Sequence, residues 1–387
     1  MTNLISADLL DEIIEFRRDL HKHPELSWQE KRTCAKICEK LQSWGISHRV
    51  VAGTGIIAEI NPGLTNEFLA FRADIDALPV CEETGLEFSS VNSGVMHACG
   101  HDGHTSMLLG TIKTLALQNL PYSLRFLFQP GEEHGNGASR MIEEGALENV
   151  AAIFGGHVDR HYTPGEIIIS SGAVNASTDQ FHITINGQGG HGARPHESID
   201  TVVIGSLIVM ALQTIVSREV DPAKPSVISV GVFSAGTASN VIAGTAKLEG
   251  TIRALDNDVR YYLRESIKRI ALSVGGLHGA NVEVNFIDGT PPLINEKNMA
   301  DLSQEAARTV VENEQIKGLY TANMGGEDFS YYLEHVPGSY VRFGSQIKGR
   351  ENFPAHSSKF DIDESVLAIG AAYFSAVARI AGQKFLE

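Results

Sequence analysis

Apolar residues recur at helical spacing through SADLLDEIIEF near the start of the chain and predict an amphipathic helix. Ser27-Trp28-Gln29-Glu30 has the form of a capping box. Behind it, Cys34, Ile37, Cys38 and Leu41 fall at i, i+3, i+4 and i+7, one stripe of a second helix whose thiols read as packed core. The period then shortens. EFLAFRAD, SLRFLFQP, VAAIFGGHV and GEIIISSG are short apolar runs bounded by turns, and helical stretches at 104–117 and 138–147 alternate with them. Such alternation predicts an α/β sheet.

From about residue 180 the pattern changes. FHITING reads as a strand, 198–218 as a helix, SVISVGVFSAG and AKLEGTIRAL as two strands, 257–275 as a helix and NVEVNFIDG as a strand. That β-α-β-β-α-β order is the split βαβ of ferredoxin-like domains. After Thr290-Pro291-Pro292 the α/β pattern returns, with helices near 298–312 and 328–334, the strand SYVRFGS and a last helix from Asp363. The expected architecture is α/β and discontinuous: a catalytic domain at 1–178 and 291–387 with a mixed sheet, and an inserted ferredoxin-like lid and dimerisation domain at 179–290.

Composition narrows the partners. A net charge of -16 argues against nucleic acid or an anionic membrane, which need basic faces. The start of the chain lacks the apolar core of a signal peptide, and the apolar run at 200–218 reads as a buried helix. Four cysteines without regular spacing fit a reducing cytoplasm. Fifteen histidines are many for 387 residues and give the first hint of metal.

In open α/β sheets the site lies beyond the carboxyl ends of the strands. Asp74 ends the first apolar run, Glu132 and Glu133 follow the second, and His157 ends the third. Within HACGHDGHT, Cys99 and His101 stand two apart on a glycine-flanked bend, so both side chains can point at one centre. His356, in FPAHSSKFDIDE, arrives from the far end of the chain. Taken singly, a strand-end histidine, a Glu-Glu pair and a lone cysteine are more often structural than functional. Together, thiolate, imidazole and carboxylate from separate segments suit a transition-metal site, and so many donors favour two ions. One of Glu132 and Glu133 can hold an ion while the other faces its water. Asp102 and His104 read as supports for the ligands, His134 as a surface residue, and His21 and His23 as turn residues.

HACGHDGHT, FQPGEEHGNGA, GGHV, GGHGARPHESID, GGEDFSYY and PAHSSKFDIDE occur in this order. Over nearly its whole length the chain resembles the aminoacylase/carboxypeptidase G family of di-metal peptidases. The cysteine of HACGH resembles the branch of hippurate hydrolases, auxin-conjugate hydrolases and N-acetyl-diaminopimelate deacetylases. The resemblance implies that Cys99, His101, Glu133, His157 and His356 hold two divalent ions (Zn, Mn, Ni or Co), with Asp74 behind them and Glu132 as general base. It implies a homodimer or higher homo-oligomer in which His191 reaches across to stabilise an oxyanion, while Asn240 and Arg253 hold a substrate carboxylate. Gly131, Gly156 and Thr201 depart from common family residues, and Gly156 and Arg160-His161 border the expected site.

The function expected is metal-dependent hydrolysis of N-acyl-L-amino acids to carboxylate and free amino acid. A dipeptidase is the alternative within enzymes. A non-catalytic metal- or ligand-binding protein is the alternative outside them, disfavoured because metal storage needs no base beside the ligands.

Overall fold

The first amphipathic pattern becomes helix α1, Ala7–Lys22, in a computed structural model that describes residues 4–385. Ser6 caps it through the Leu9 amide, and Leu9, Ile13, Phe16 and Leu20 are buried along one face. Of the two expected turn residues, His23 forms the bend after α1, whereas His21 lies in the helix. His21 ends α1, fully buried, with Nδ1 2.8 Å from Asp102 Oδ2 and Nε2 3.3 Å from Glu82 Oε1. The capping box also fails. Helix α2, Lys31–Ser43, is capped instead by Glu25, whose carboxylate accepts the Arg32 and Thr33 amides at 3.0 and 2.8 Å, while Ser27 Oγ donates to Asp76 Oδ2 and Glu30 is engaged elsewhere. Glu30 Oε1 accepts the amides of Trp28 and Gly131, and Oε2 accepts the Thr54 hydroxyl. The four residues that look like a cap pin a turn.

The chain divides into two compact units: Met1–Val174, Ile294–Thr321 and Asp328–Glu387 form one, and Asn175–Leu293 with Ala322–Glu327 the other. In the first unit the strands β1 (Ser47–Val51), β2 (Gly55–Ile60), β3 (Phe68–Asp74), β4 (Ser123–Gln129) and β5 (Val150–Asp159) belong to one mixed sheet. Its order is β1, β2, β4, β3, β5, then Gly338–Gly344, Ile167–Ile168 and Ile316–Lys317. GEIIISSG thus supplies only a two-residue strand, since Gly165 and Gly172 both take positive φ. β3 runs parallel to β4 and β5, which sets Asp74 opposite Gln129. The loop after β4 therefore leaves the sheet where β3 ends.

Helices α3 (His101–Ala116) and Val366–Lys384 pack closely, and a Cβ on Gly110 would meet Ala371 Cβ at 3.0 Å. α4, expected at 138–147, is Gly137–Glu143, and the helices expected at 298–312 and 328–334 are Lys297–Ala307 and Ser330–Leu333. Phe71, Phe126 and Phe154 stack in the buried core at centroid distances of 5.6 and 5.8 Å.

The second unit has the chain order Asp179–Asn186, helix Thr201–Thr214, Ser226–Ala235, Thr245–Ala254, helix Asn257–Leu277 and Asn281–Ile287. Its antiparallel sheet runs Ser226–Ala235, Thr245–Ala254, Asp179–Asn186, Asn281–Ile287. Phe181, Ile183, Leu248 and Ile252 from the sheet share one core with Ile204, Ile208, Leu263 and Ile267 from the helices. The run at 200–218 is not a fully buried helix. Asp200 caps it through Val202 and Val203, one face is buried, and Val203 and Met210 are 50% and 70% exposed on the other.

Candidate metal centre and active site

Cys99 and His101 do not share an irregular bend: α3 starts at His101, and the turn lies before it. Gly100 takes φ 93°, and a Cβ there would come within 2.5 Å of Val158 Cγ2. Only glycine lets the turn approach β5 this closely. His101 donates from Nδ1 to the Asp76 carbonyl at 2.9 Å, with Asp76 Oδ1 at 3.2 Å, which leaves Nε2 as the nitrogen turned to the other donors. His157, near the end of β5, donates from Nδ1 to its neighbour Val158 O at 2.7 Å, and its Nε2 lies 3.3 Å from Cys99 Sγ. Two rings are thus fixed by one nitrogen and present the other, the arrangement metal-binding histidines use.

The loop after β4 supplies the carboxylates. Gly131 takes φ 66° and sits so close to Trp28 that a Cβ would meet the indole at 2.7 Å. Glu133 is held by its amide, which donates to Asp76 Oδ2 at 3.1 Å. Glu133 Oε1 lies 3.9 Å from His101 Nε2, and Oε2 lies 3.4 Å from His356 Nε2. Adjacent Glu132 has Oε1 3.4 Å from the Asp328 amide. His356 adopts a left-handed φ of 68°, a costly conformation for a non-glycine residue, secured by its amide on Ala98 O at 2.8 Å.

Among the described residues five groups of possible donors have their atoms within 4.8 Å of one another, and two of them, Cys99–His101–His157 and Cys99–Glu133–His356, both use the Cys99 sulfur. These residues fit metal ions. His101 Nε2 and Glu133 Oε1 are buried without a hydrogen-bond partner, although buried polar atoms are normally satisfied. His104 is different. Its Nδ1 meets Asp74 Oδ1 at 2.6 Å and its Nε2 accepts the Val158 amide at 3.0 Å, so both ring nitrogens are occupied and it supports the cluster from beneath.

The electrostatics follow from burial. Burial and Glu133 push the Cys99 thiol well up, and burial with His104 holds His157 well below the usual imidazole range. His101 is held well above it: burial opposes the charge, but Asp74 and the bond to Asp76 outweigh burial. The hydrogen bond to Glu133 raises His356. Cys99 and His101 would each have to give up a proton to hold a cation, so such binding would be favoured as pH rises.

Asp76, which fixes both His101 and the Glu133 amide, was not singled out from sequence. Its signal was the second aspartate of RADID. Gly156 directly precedes His157 in β5. It is buried, and a Cβ there would meet Phe343 at 2.7 Å, so its lack of a side chain serves packing. Arg160 donates to Asn352 O at 2.9 Å on the segment leading to His356, and exposed His161 pairs with Asp159. His134 is exposed.

In the second unit, His191 and Asn240 line one open cleft of about 490 Å³ with Gly189, Gly190 and Thr237. The short strand Gly190–His191 pairs with Val241–Ile242, and the Gly192 amide donates to Asn240 O at 2.8 Å. The Ala193 amide donates to His191 Nδ1 at 3.1 Å, so the neutral ring carries its proton on Nε2, free to donate. Arg253 is half-buried on the strand Thr245–Ala254, opposite Val227.

A mixed sheet whose strand ends gather thiol, imidazole and carboxylate donors beside a further glutamate defines a metal-dependent hydrolase. The model of peptidase family M20/M25/M40 matches residues 70–380, and the chain belongs to that family. It is 43% identical over 288 residues to the N-acyl-L-amino acid amidohydrolase of Geobacillus stearothermophilus, covering 73% of this chain and 78% of that one. It is 38% identical to thermostable carboxypeptidase 1 of Saccharolobus solfataricus over 94% of each chain. A solved structure from Bacillus subtilis, described as a dinuclear metal-binding peptidase of the M20 family, superposes with TM-score 0.85 at 35% identity, covering 98% of this chain and 99% of that one.

Proposed function

We propose that the protein hydrolyses N-acyl-L-amino acids with two divalent ions, which Cys99, His101, Glu133, His157 and His356 would hold. The observation that carries this reading is the pair of sets meeting at one sulfur, with Glu132 next in sequence to the ligand Glu133. When bound, such ions supply Lewis acidity and a water acidic enough to lose its proton near neutral pH. Thiolate and imidazole suit Zn, Co or Ni, and the carboxylate admits Mn.

Glu132 takes the proton of the attacking water and delivers it to the leaving nitrogen. His191, donating from Nε2, stabilises the oxyanion. Asn240 and Arg253 hold the substrate carboxylate, for which the planar guanidinium fork is suited. In this reading residues 179–290 form a ferredoxin-like lid that also makes a homodimer. Support for the dimer comes from the outer face of Thr201–Thr214, where Val202, Val203, Leu207 and Met210 are exposed.

The test is release of free amino acid from N-acetyl, N-benzoyl and indole-acetyl amino acids, alongside dipeptides, with each metal added back to chelated protein. Cleavage of the acyl amino acids is expected. Preference for dipeptides would transfer the assignment to a peptidase, a reading the carboxypeptidase relative keeps in the panel.

A further inference from the structure

Arg72 lies in the middle of the sheet, 1% exposed, and carries a charge that burial penalises unless it is paired. Its Nε donates to Gln129 Oε1 at 2.8 Å, Nη1 to Asp74 Oδ2 at 2.6 Å and Nη2 to Asp328 Oδ1 at 2.9 Å. One rigid fork thus binds two fully buried aspartates that belong to different parts of the site. Asp74 grips His104, whose other nitrogen holds the Val158 amide next to His157. Asp328 takes further hydrogen bonds from Gln129 Nε2 at 2.8 and 2.9 Å and from the Ala138 amide at 2.9 Å. Its own amide then points at Glu132 Oε1.

From these contacts we infer that Arg72 is a positioning residue for the base: through Asp328 it sets the amide that orients Glu132, while through Asp74 it fixes the imidazole layer against which the base must be registered. The inference rests on the reading of Glu132 as base. A guanidinium has no lone pair for a cation, so Arg72 acts through its neighbours. Lysine is no substitute, since a point charge cannot span both carboxylates in the geometry of the fork.

The experiment compares metal-loaded wild type, Arg72→Lys and Glu132→Gln for kcat, KM, bound metal and thermal midpoint. Arg72→Lys should keep two metals and leave KM nearly unchanged while kcat falls by about ten- to a hundredfold, the effect of a misplaced base. Should Arg72→Lys not fold, Asp328→Asn, which keeps the side chain's size and weakens the pair, decides on the same readouts. Normal kcat in the folded variant overturns the inference. So does a fall in kcat matched by loss of metal, or a rise in KM alone. Loss of turnover in Glu132→Gln with normal turnover in Arg72→Lys rejects this inference only; retained turnover in Glu132→Gln rejects the base itself.

Discussion

The donor cluster and the His191 cleft are built in opposite ways. In the cluster, His101, His104 and Asp74 are buried, and each is held by defined neighbours such as Asp76, Val158 and Arg72. In the second unit, His191, on a two-residue strand, and Asn240, in the turn before another, are exposed in a glycine-lined cleft. Fixed groups suit charge stabilisation and proton transfer, where reorganisation is costly. An open glycine-lined cleft suits groups that adapt to a substrate. The comparison therefore predicts different kinetic damage from the two regions.

The largest effect should come from Glu132→Gln, which on the proposed reading removes the base and no ligand. Turnover should fall by about 10²–10⁴-fold with two metals still bound. Near-normal turnover at full metal content would falsify the base. His191→Ala should lower kcat by roughly 10²–10³-fold, the usual cost of losing one oxyanion donor. If instead only KM rises, the cleft binds substrate without touching the transition state, and the contrast sharpens. Arg253→Ala should cost roughly 1.5–3 kcal/mol in binding of free-acid substrates, with little change for their amides. Equal cleavage of acids and amides by the unmutated protein would remove the carboxylate clamp.

A smaller effect concerns stability. Burial opposes charge on His21, but Asp102 and Glu82 raise it to about 9. A raised histidine stabilises fully below its unfolded value of about 6.5 and loses that contribution as pH climbs through about 9. The thermal midpoint should therefore drop by several degrees between pH 7 and 10, and less in His21→Gln. Parallel curves for the two proteins would refute the linkage. The smallest effect is in cysteine labelling. Cys81 is exposed and should be alkylated first, while burial pushes Cys34 up to about 12 and keeps it silent. Cys99 should be shielded with metal present and only slowly labelled after chelation, since its thiol stays protonated. Rapid labelling of metal-loaded Cys99 would argue against ligation.

The alternation of apolar runs and helical stretches made the α/β sheet legible, and the positions of Asp74, Glu132 and His157 at run ends pointed to one edge. What sequence could not show was where side chains spend their hydrogen bonds. Ser27 and Glu30 have the spacing of a cap, yet a tertiary demand from Asp76, Gly131 and Thr54 claims them. His21 looked like a turn residue because its partners, Asp102 and Glu82, are remote in sequence. Gly156 could be placed beside the site from its neighbour His157, but the constraint on it comes from Phe343 on another strand. Arg72 is one charge in an apolar run until the fold brings Asp328 to it.

The order of donors along the chain also bears on how the enzyme is made. Cys99, His101, Glu133 and His157 all leave the ribosome well before His356. All residues of the first donor set have been synthesised once β5 is made, but the second waits for His356, some two hundred residues further on. A nascent or prematurely terminated chain therefore lacks one of the two sets, whatever the metal supply.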